Sequence, residues 1–199
     1  MGEERLGTPH WGRPVYGFGD EEGALVVVGL APAAQGANRT GRVFTGDRSA
    51  RFLVAALHKA GFANQPTSEA RGDGLEYRNA FITLGVRCVP PDNQPTPLEI
   101  RRCQPYLVEE FRLLRNARVF LALGRQAFDQ TRRALEELHP GTGRPPPFQH
   151  GLRFPLGEGR PVLWASYHPS PRNVQTGLLR EESFLSVLRE LRADLGPGS

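Results

Sequence analysis

Two residues of this sequence, Asp47 and His168, have side chains suited to hydrolytic chemistry, and each lies in a polar loop that follows a short apolar segment. Asp47 is the single carboxylate of a glycine-rich loop, residues 31–47, and can orient a water molecule or stabilise a developing cation. It can equally cap the helix predicted to follow it. His168 can donate a hydrogen bond to a leaving-group oxygen that gains charge, although a single histidine more often has a structural role.

Phe44 lies in the same polar loop, which is an unusual position for a core residue. Its ring can stack on a planar base, or it can fold the loop back onto the domain. The loop follows an apolar segment and precedes a helical pattern, which is where α/β sheets bind ligands. It has neither the glycine pattern of dinucleotide-binding folds nor that of P-loops, so a dinucleotide or triphosphate ligand is disfavoured.

Four apolar segments predict strands, and a helical pattern follows each of them. The predicted strands are 24–30, 79–86, 118–123 and 161–167. The predicted helices are 49–60, a helix that begins at Pro97, 125–138 and about 178–195. Thr96 is predicted to cap the second helix, with Glu99 completing a capping box. This alternation predicts a parallel sheet between helical layers.

The sequence predicts a single domain over residues 1–199, in which residues 1–20 form an irregular arm held by aromatic side chains. Because parallel strands end at one edge of a sheet, the loops after the first, second and fourth strands are expected to meet at one cleft. The residues expected there are Asn38, Arg39, Phe44, Asp47, His168, Arg172 and Asn173.

The composition favours an anionic partner. The chain has 25 basic and 21 acidic residues, a formal net charge of +4, and Lys59 as its only lysine. Arginine matches phosphate oxygens in a bidentate geometry, but codon usage in a GC-rich genome gives the same bias. No apolar run approaches the roughly 20 residues that cross a membrane, so we expect a soluble, cytoplasmic protein without membrane contact.

Two long strings, GLAPAAQGANRTGRVFTGD and HPSPRNVQTG, resemble the signature motifs of the uracil-DNA glycosylase superfamily, and specifically its type B, or family 5, branch. The strings WGRPVYGFGD, VRCVPPDNQPTP and LALGRQA resemble the same branch, in the same order along almost the whole chain. The joint occurrence of these strings is specific, whereas a short fragment of either motif would not be.

The resemblance implies a three-layer α/β/α sandwich with a four-stranded parallel sheet in the order 2-1-3-4. It implies a monofunctional DNA glycosylase that flips a damaged nucleotide out of DNA and hydrolyses its glycosidic bond. The implied catalytic residues are Asp47 and His168. The implied base-binding residues are Gly29, Ala31, Asn38 and Phe44. The implied DNA contacts are Arg39, Arg42, Ser170, Arg172 and Asn173, in part from a loop at 169–177 that would press into the duplex.

The implied partners are double- and single-stranded DNA with deaminated bases, handled in base excision repair by a monomer that associates with the nucleoid. Family 4 enzymes carry an asparagine on the second strand that recognises the uracil edge, and this chain has Leu84 there. That departure implies broader base selection, with hypoxanthine and other modified bases beside uracil.

The two cysteines, Cys88 and Cys103, are the second departure from the family pattern. The family carries a [4Fe-4S] cluster on four cysteines, of which these match the second pair, and the upstream Cys-x-x-Cys motif is absent. Two thiolates hold such a cluster poorly, so we expect a colourless protein without a complete cluster, or else a true start further upstream. His10 and His150 are candidates for substitute ligands, without support from their spacing.

Two other functions stay open at this point. The same fold can bind damaged bases without turnover or capture them covalently, and it can process free nucleotides. The presence of both Asp47 and His168 favours catalysis over binding alone. The arginine-rich composition and the loop at Arg172 favour DNA over free nucleotides.

Overall fold

The structure of the protein is a computed structural model, and it describes residues 10–196. The strands are β1 (Phe18–Gly19), β2 (Leu25–Gly29), β3 (Ala80–Leu84), β4 (Val119–Leu123), β5 (Arg153–Pro155) and β6 (Val162–Ser166). The helices are α1 (Ala37–Thr40), α2 (Arg48–Lys59), α3 (Pro97–Leu113), α4 (Arg125–Leu138), α5 (Pro171–Gln175) and α6 (Glu181–Leu195). A short 3-10 turn spans Pro91–Asn93.

The strands form one sheet in the order β1-β3-β2-β4-β6-β5. The four central strands are parallel, and their order corresponds to the predicted 2-1-3-4. The prediction of a four-stranded sheet was nevertheless wrong, because β1 and β5 add one short antiparallel strand at each edge. These edges have only two and three residues, and β5 ends at Pro155, so neither shows a strand pattern in the sequence.

Each central strand has five residues, all of them buried. Successive side chains alternate between the faces, so that Val27 packs in the cluster with α2 and α6 while Val28 packs in the cluster with α3 and α4. Full burial of an aliphatic side chain contributes about 1.5–3 kcal/mol relative to exposure. Helices on both faces therefore explain why these strands are continuously apolar instead of alternating.

The helix predictions are largely confirmed. Asp47 is the N-cap of α2, and Thr96 and Glu99 form the predicted capping box of α3. The range of α4 agrees with the prediction. The last helix begins at Glu181 instead of near 178, because the loop after β6 contains its own short helix, α5, which Gly177 follows at φ +71°.

Part of the predicted N-terminal arm, residues 1–9, lies outside the described residues. From residue 10 onward the arm runs along the glycine-rich loop: the Trp11 N–H donates to the Asn38 carbonyl at 2.8 Å, and the Val15 N–H donates to the Arg87 carbonyl at 2.8 Å. The arm is not irregular throughout, since Phe18 and Gly19 form β1. Within residues 10–196, no helix has the length and apolar character needed to span a membrane.

Candidate active site

A cleft of about 720 Å³ lies at the carboxyl ends of the four parallel strands. Loops after β2, β3, β4 and β6 all contribute to its wall, as the parallel topology requires. The polar residues that line it are Gln35, Asp47, Ser49, Asn93, Arg125, Gln126, Tyr167, His168, Ser170 and Asn173. The predicted convergence of polar loops on one edge of the sheet is therefore present.

Asp47 is the N-cap residue of α2, and its side chain lines the cleft. Its Oδ1 accepts a hydrogen bond of 2.8 Å from the backbone N–H of Ala50, which is the predicted N-cap contact. Its Oδ2 lies against Gly36, where a Cβ would overlap the oxygen. Oδ1 is thus held by the helix N-terminus, and Oδ2 occupies the space that the missing side chain of Gly36 leaves free. Asp47 can therefore cap α2 with one oxygen while its carboxylate takes part in a reaction.

His168 lies two residues after the end of β6, where Asn173 binds its carbonyl and Gly124 packs closely against it. The Asn173 amide donates to the His168 carbonyl at 2.8 Å, and a Cβ on Gly124 would lie 3.3 Å from the His168 Cβ. Burial lowers the pKa of His168, and the nearby Asp47 carboxylate opposes that shift. The imidazole is therefore neutral at pH 7 and has one N–H to donate.

Phe44 forms the side of the cleft next to His168, with ring centroids 6.2 Å apart and planes inclined by 33°. The ring packs against Gly29, where a Cβ would come within 2.8 Å of both Phe44 and Leu84. Its backbone has φ +43°, a conformation that costs a bulky residue about 1–3 kcal/mol. Such strain persists only where the surroundings enforce it.

Of the other three predicted base-binding residues, one lines the cleft and two do not. Ala31 lines the cleft, whereas Gly29 lies behind Phe44 and makes room for its ring. Asn38 does not line the cleft, and its carbonyl binds the N-terminal arm. Arg39, which was predicted to contact DNA, also lies outside the cleft wall, and its guanidinium donates to the carbonyls of Gln35 and Gly46.

Arg42, which was predicted to contact DNA, is buried in this structure. Its side chain is 7% exposed and is committed to an internal ion pair with Asp73 at 2.7 Å. It donates further hydrogen bonds to Thr45 and Ser68. An arginine among glycines and polar residues resembles a phosphate ligand in sequence, and only the tertiary partner 31 residues away reveals its internal role.

The predicted DNA loop consists of α5 and the residues that flank it. Ser170 lines the cleft and caps α5 by accepting from the Asn173 N–H. Arg172 is exposed. Val174 within this loop is 37% exposed, and Leu178 directly after it is 51% exposed. Residues 170–178 thus present one cation and two exposed apolar side chains.

Several cleft residues were missed by the sequence reasoning. Gln126 follows Gly124 at the start of α4, within the string LALGRQA that carried the family resemblance, so a signal for it existed. Asn93, at φ +57°, lies in the proline-rich loop that was already singled out. Phe148 belongs to a loop without recognisable pattern, and its ring packs 6.0 Å from that of Tyr167. Nothing local in the sequence marks it.

Cys88 and Cys103 are free thiols, the first exposed and the second partly buried. Burial raises the pKa of the Cys88 thiol, and Cys103 lies near enough to add to the increase. Within residues 10–196 no three His, Cys, Asp or Glu side chains are grouped to hold a metal, and His150 stacks on Tyr167 instead. The described residues supply two of the four thiolates that a [4Fe-4S] cluster needs and do not by themselves fit such a cluster.

The fold and the cleft define an α/β protein whose candidate site lies at the carboxyl edge of a parallel sheet. The model of the family described as "Uracil DNA glycosylase superfamily" matches residues 16–192. A type-5 uracil-DNA glycosylase of Thermus thermophilus is 48% identical over 189 residues, which cover 94% of this chain and 82% of the relative. A type-5 enzyme of Mycobacterium tuberculosis is 46% identical over 186 residues, covering 92% and 68%.

A type-4 uracil-DNA glycosylase of Pyrobaculum aerophilum is more distant, with 34% identity over 111 residues that cover 55% of this chain and 48% of the relative. The chain belongs to the uracil-DNA glycosylase superfamily, in its type-5 branch. The resemblance seen in the motifs is thereby confirmed, and the protein is a DNA glycosylase, a hydrolase of base excision repair.

Proposed function

We propose that the protein removes uracil and other deaminated bases, such as hypoxanthine, from DNA by hydrolysing the N-glycosidic bond. The observation that carries this proposal is the meeting of a carboxylate, a neutral imidazole and an aromatic ring in one cleft. Asp47 and His168 both line it, and the Phe44 ring centroid lies 6.2 Å from that of His168. This set can hold a planar base and stabilise opposite charges on the two sides of a breaking bond.

Asp47 acts on the sugar. As the C1′–N bond of the flipped nucleotide breaks, positive charge develops on the sugar ring, and the nearby carboxylate stabilises it. Water then attacks C1′ and leaves an abasic site. Because one oxygen is held by the Ala50 N–H, the carboxylate is oriented before substrate arrives. A preorganised electrostatic contact of this kind is worth about 2.7–4 kcal/mol in the transition state.

His168 acts on the departing base. The bonding electrons leave with the base, whose carbonyl oxygen gains negative charge and accepts a hydrogen bond from the imidazole N–H. Burial lowers the pKa of His168, so the group donates from its neutral form. The base anion then takes a proton from water. Asn173 supports the arrangement by holding the His168 carbonyl.

Base selection follows from the apolar side of the cleft. Leu84 lines the cleft next to Gly29 and Phe44, and its side chain offers no hydrogen bond to a base edge. A site that must hydrogen-bond its substrate rejects analogues strongly, whereas an apolar wall discriminates weakly. Leu84 therefore supports a range of deaminated bases beyond uracil.

Contact with DNA is assigned to α5 and the residues that follow it. Arg172 offers charge to a phosphate, and the exposed side chains of Val174 and Leu178 can enter the space vacated by a flipped nucleotide. Single strands require no unpairing, so this loop serves duplex substrates above all. We assign the activity to a monomer acting at the nucleoid.

The test uses oligonucleotides that carry one uracil, one hypoxanthine or no modified base, in single- and double-stranded form. Incubation followed by alkali is expected to cleave the modified strands at the base position. Leu84→Asn is expected to keep uracil excision and to lose most hypoxanthine excision. Uracil cleavage without any hypoxanthine cleavage by the parent protein would refute the broad base range.

The same experiment separates the alternative functions. A module that only binds damaged bases would shift the oligonucleotides in a gel without producing alkali-labile sites. A covalent trap would give a product that survives denaturation. An enzyme for free nucleotides would release uracil from deoxyuridine monophosphate as fast as from DNA, whereas the exposed α5 loop predicts activity on DNA alone.

A further inference from the structure

We propose that Arg42 and Asp73 form a clamp that positions the loop 43–47, and through it Phe44 and Asp47, for base excision. The inference rests on the proposed function, because it concerns the residues assigned there to catalysis. It assigns a role to a buried ion pair that the mechanism itself does not use.

The Arg42 side chain donates four hydrogen bonds of 2.7–3.0 Å. Two of its nitrogens donate to the two carboxylate oxygens of Asp73, at 2.8 and 2.7 Å. Its Nε donates to the Thr45 hydroxyl at 2.9 Å, and one terminal nitrogen also donates to the Ser68 hydroxyl at 3.0 Å. The guanidinium carbon lies 5.0 Å from the centroid of the Phe18 ring. A group held this closely is not available to a phosphate.

The Asp73 side ties the clamp to a second loop. Its carboxylate also accepts from the backbone N–H groups of Glu69 (2.8 Å), Ala70 (3.2 Å) and Leu75 (3.1 Å). Burial alone would raise the pKa of Asp73, but the Arg42 hydrogen bond and these N–H groups hold it well below its usual value. Asp73 is therefore charged throughout the working pH range, and residues 68–75 are shaped around it.

The two loops are joined again next to the catalytic residue. The Thr45 and Ser68 hydroxyls lie 2.8 Å apart, and the Gly46 N–H donates to the Ser68 carbonyl at 2.8 Å. Phe44 and Asp47 thus lie on either side of Thr45 and Gly46, which the clamp holds within the loop 43–47. Phe44 keeps φ +43° in that segment, a conformation that persists only where the surroundings enforce it.

A buried ion pair adds little net stability compared with an apolar pair, but loss of one partner leaves a buried charge unpaired. This difference allows positioning to be separated from folding. Arg42→Met and Asp73→Asn each leave one partner unmatched, whereas the double variant removes both charges. In the double variant the thermal midpoint should recover toward the parent value, while the loop remains without its guanidinium bonds.

The experiment measures single-turnover uracil excision, duplex affinity and Tm for Arg42→Met, Asp73→Asn, Arg42→Lys and the double variant. The excision rate constant is expected to fall about 100-fold in the single variants, which is the loss expected when a catalytic group is misplaced by about 1 Å. In the double variant the rate constant should stay low. Arg42→Lys keeps the charge but loses the planar fork, and is expected to fail like Arg42→Met. Duplex affinity should change less than about threefold, since no DNA contact is lost.

The matched control is Arg51→Met. It removes an exposed ion pair between Arg51 and Glu69, and Glu69 lies in residues 68–75, the loop that Asp73 shapes. Its excision rate should stay within about twofold of the parent, because exposed pairs contribute little. If both the excision rate and Tm recover in the double variant, the ion pair contributes to folding and does not position the loop. If Asp73→Asn excises uracil at the parent rate while Arg42→Met binds the duplex weakly, Arg42 contacts DNA and does not act as a clamp.

A second readout does not use activity. Hydrogen exchange at the Gly46 N–H should be about tenfold faster in Arg42→Met than in the parent, because the bond to Ser68 is then less protected. Unchanged exchange would refute the clamp even if the parent excises uracil. Faster exchange in a protein whose parent form excises no base would support the clamp and refute the proposed function.

Discussion

Replacement of Gly36 by alanine tests the position of the Asp47 carboxylate without touching Asp47 itself. A Cβ at residue 36 would overlap Asp47 Oδ2, and real Cβ contacts essentially never fall below 3.0 Å. Because the neighbouring Oδ1 is bound to the Ala50 N–H, the carboxylate cannot rotate away freely. The side chain must therefore move by about 1 Å relative to the sugar it is assigned to stabilise, and a misplacement of this size costs on the order of 100-fold in rate.

A 100-fold loss corresponds to about 2.7 kcal/mol of transition-state stabilisation. The assay is the single-turnover excision constant on a duplex with one uracil, with duplex affinity and Tm measured beside it. We expect the rate constant to fall and affinity to stay within about threefold, because the carboxylate acts on the transition state more than on binding. Gly143→Ala is the matched control, since a Cβ there meets no atom within 4 Å.

The double variant Gly36→Ala/Asp47→Ala sharpens the test. If both substitutions act through the same carboxylate, the double variant should be no slower than Asp47→Ala alone. If the rate loss of the double variant instead equals the product of the two single losses, Gly36 affects the rate by a route other than the Asp47 carboxylate. A folded Gly36→Ala protein with the parent rate would refute the role assigned to the position of the Asp47 carboxylate.

Three further predictions concern the base site, the scaffold and the DNA loop. Gly29→Ala places a Cβ 2.8 Å from the Phe44 ring and should raise KM for uracil DNA about tenfold with a smaller loss in kcat; an unchanged KM would argue against stacking on Phe44. Thr96→Ala removes one half of the capping box with Glu99 and should lower the free energy of unfolding by about 1 kcal/mol in urea titrations at unchanged excision; no loss would show that the cap is not needed. Arg172→Ala should slow excision from duplex DNA more than from single strands, and an equal loss on both would contradict the wedge role of this loop.

The elements that sequence reasoning located correctly have local signals. The five-residue core of β2 is apolar without interruption because both of its faces are buried, and the Thr96 cap lies within one turn of its partner. The cleft itself followed from topology, since parallel strands deliver their loops to one edge. The edge strands β1 and β5 had no such signal, because they are short and depend on pairing with a distant strand.

The roles of individual site residues were only partly predictable. Asp47 and His168 could be placed together from strand order and motif, but the overlap that makes Gly36 necessary depends on backbone geometry. Arg42 looked like a phosphate ligand because its composition and neighbours are those of a DNA-binding loop. Its partner Asp73 is 31 residues away, across a loop whose course the sequence does not specify. Such long-range pairs decide whether a charge faces solvent or the interior.

The most direct measurement of the central claim is the amount of free uracil released from a duplex with one uracil under single-turnover conditions. We predict that the parent protein releases one uracil per duplex and leaves an abasic site. Asp47→Ala should reduce the rate constant by about 100- to 1000-fold with duplex affinity retained, as expected for loss of one electrostatic contact in the transition state. Release at the parent rate by Asp47→Ala, or no release by the parent, would contradict the account.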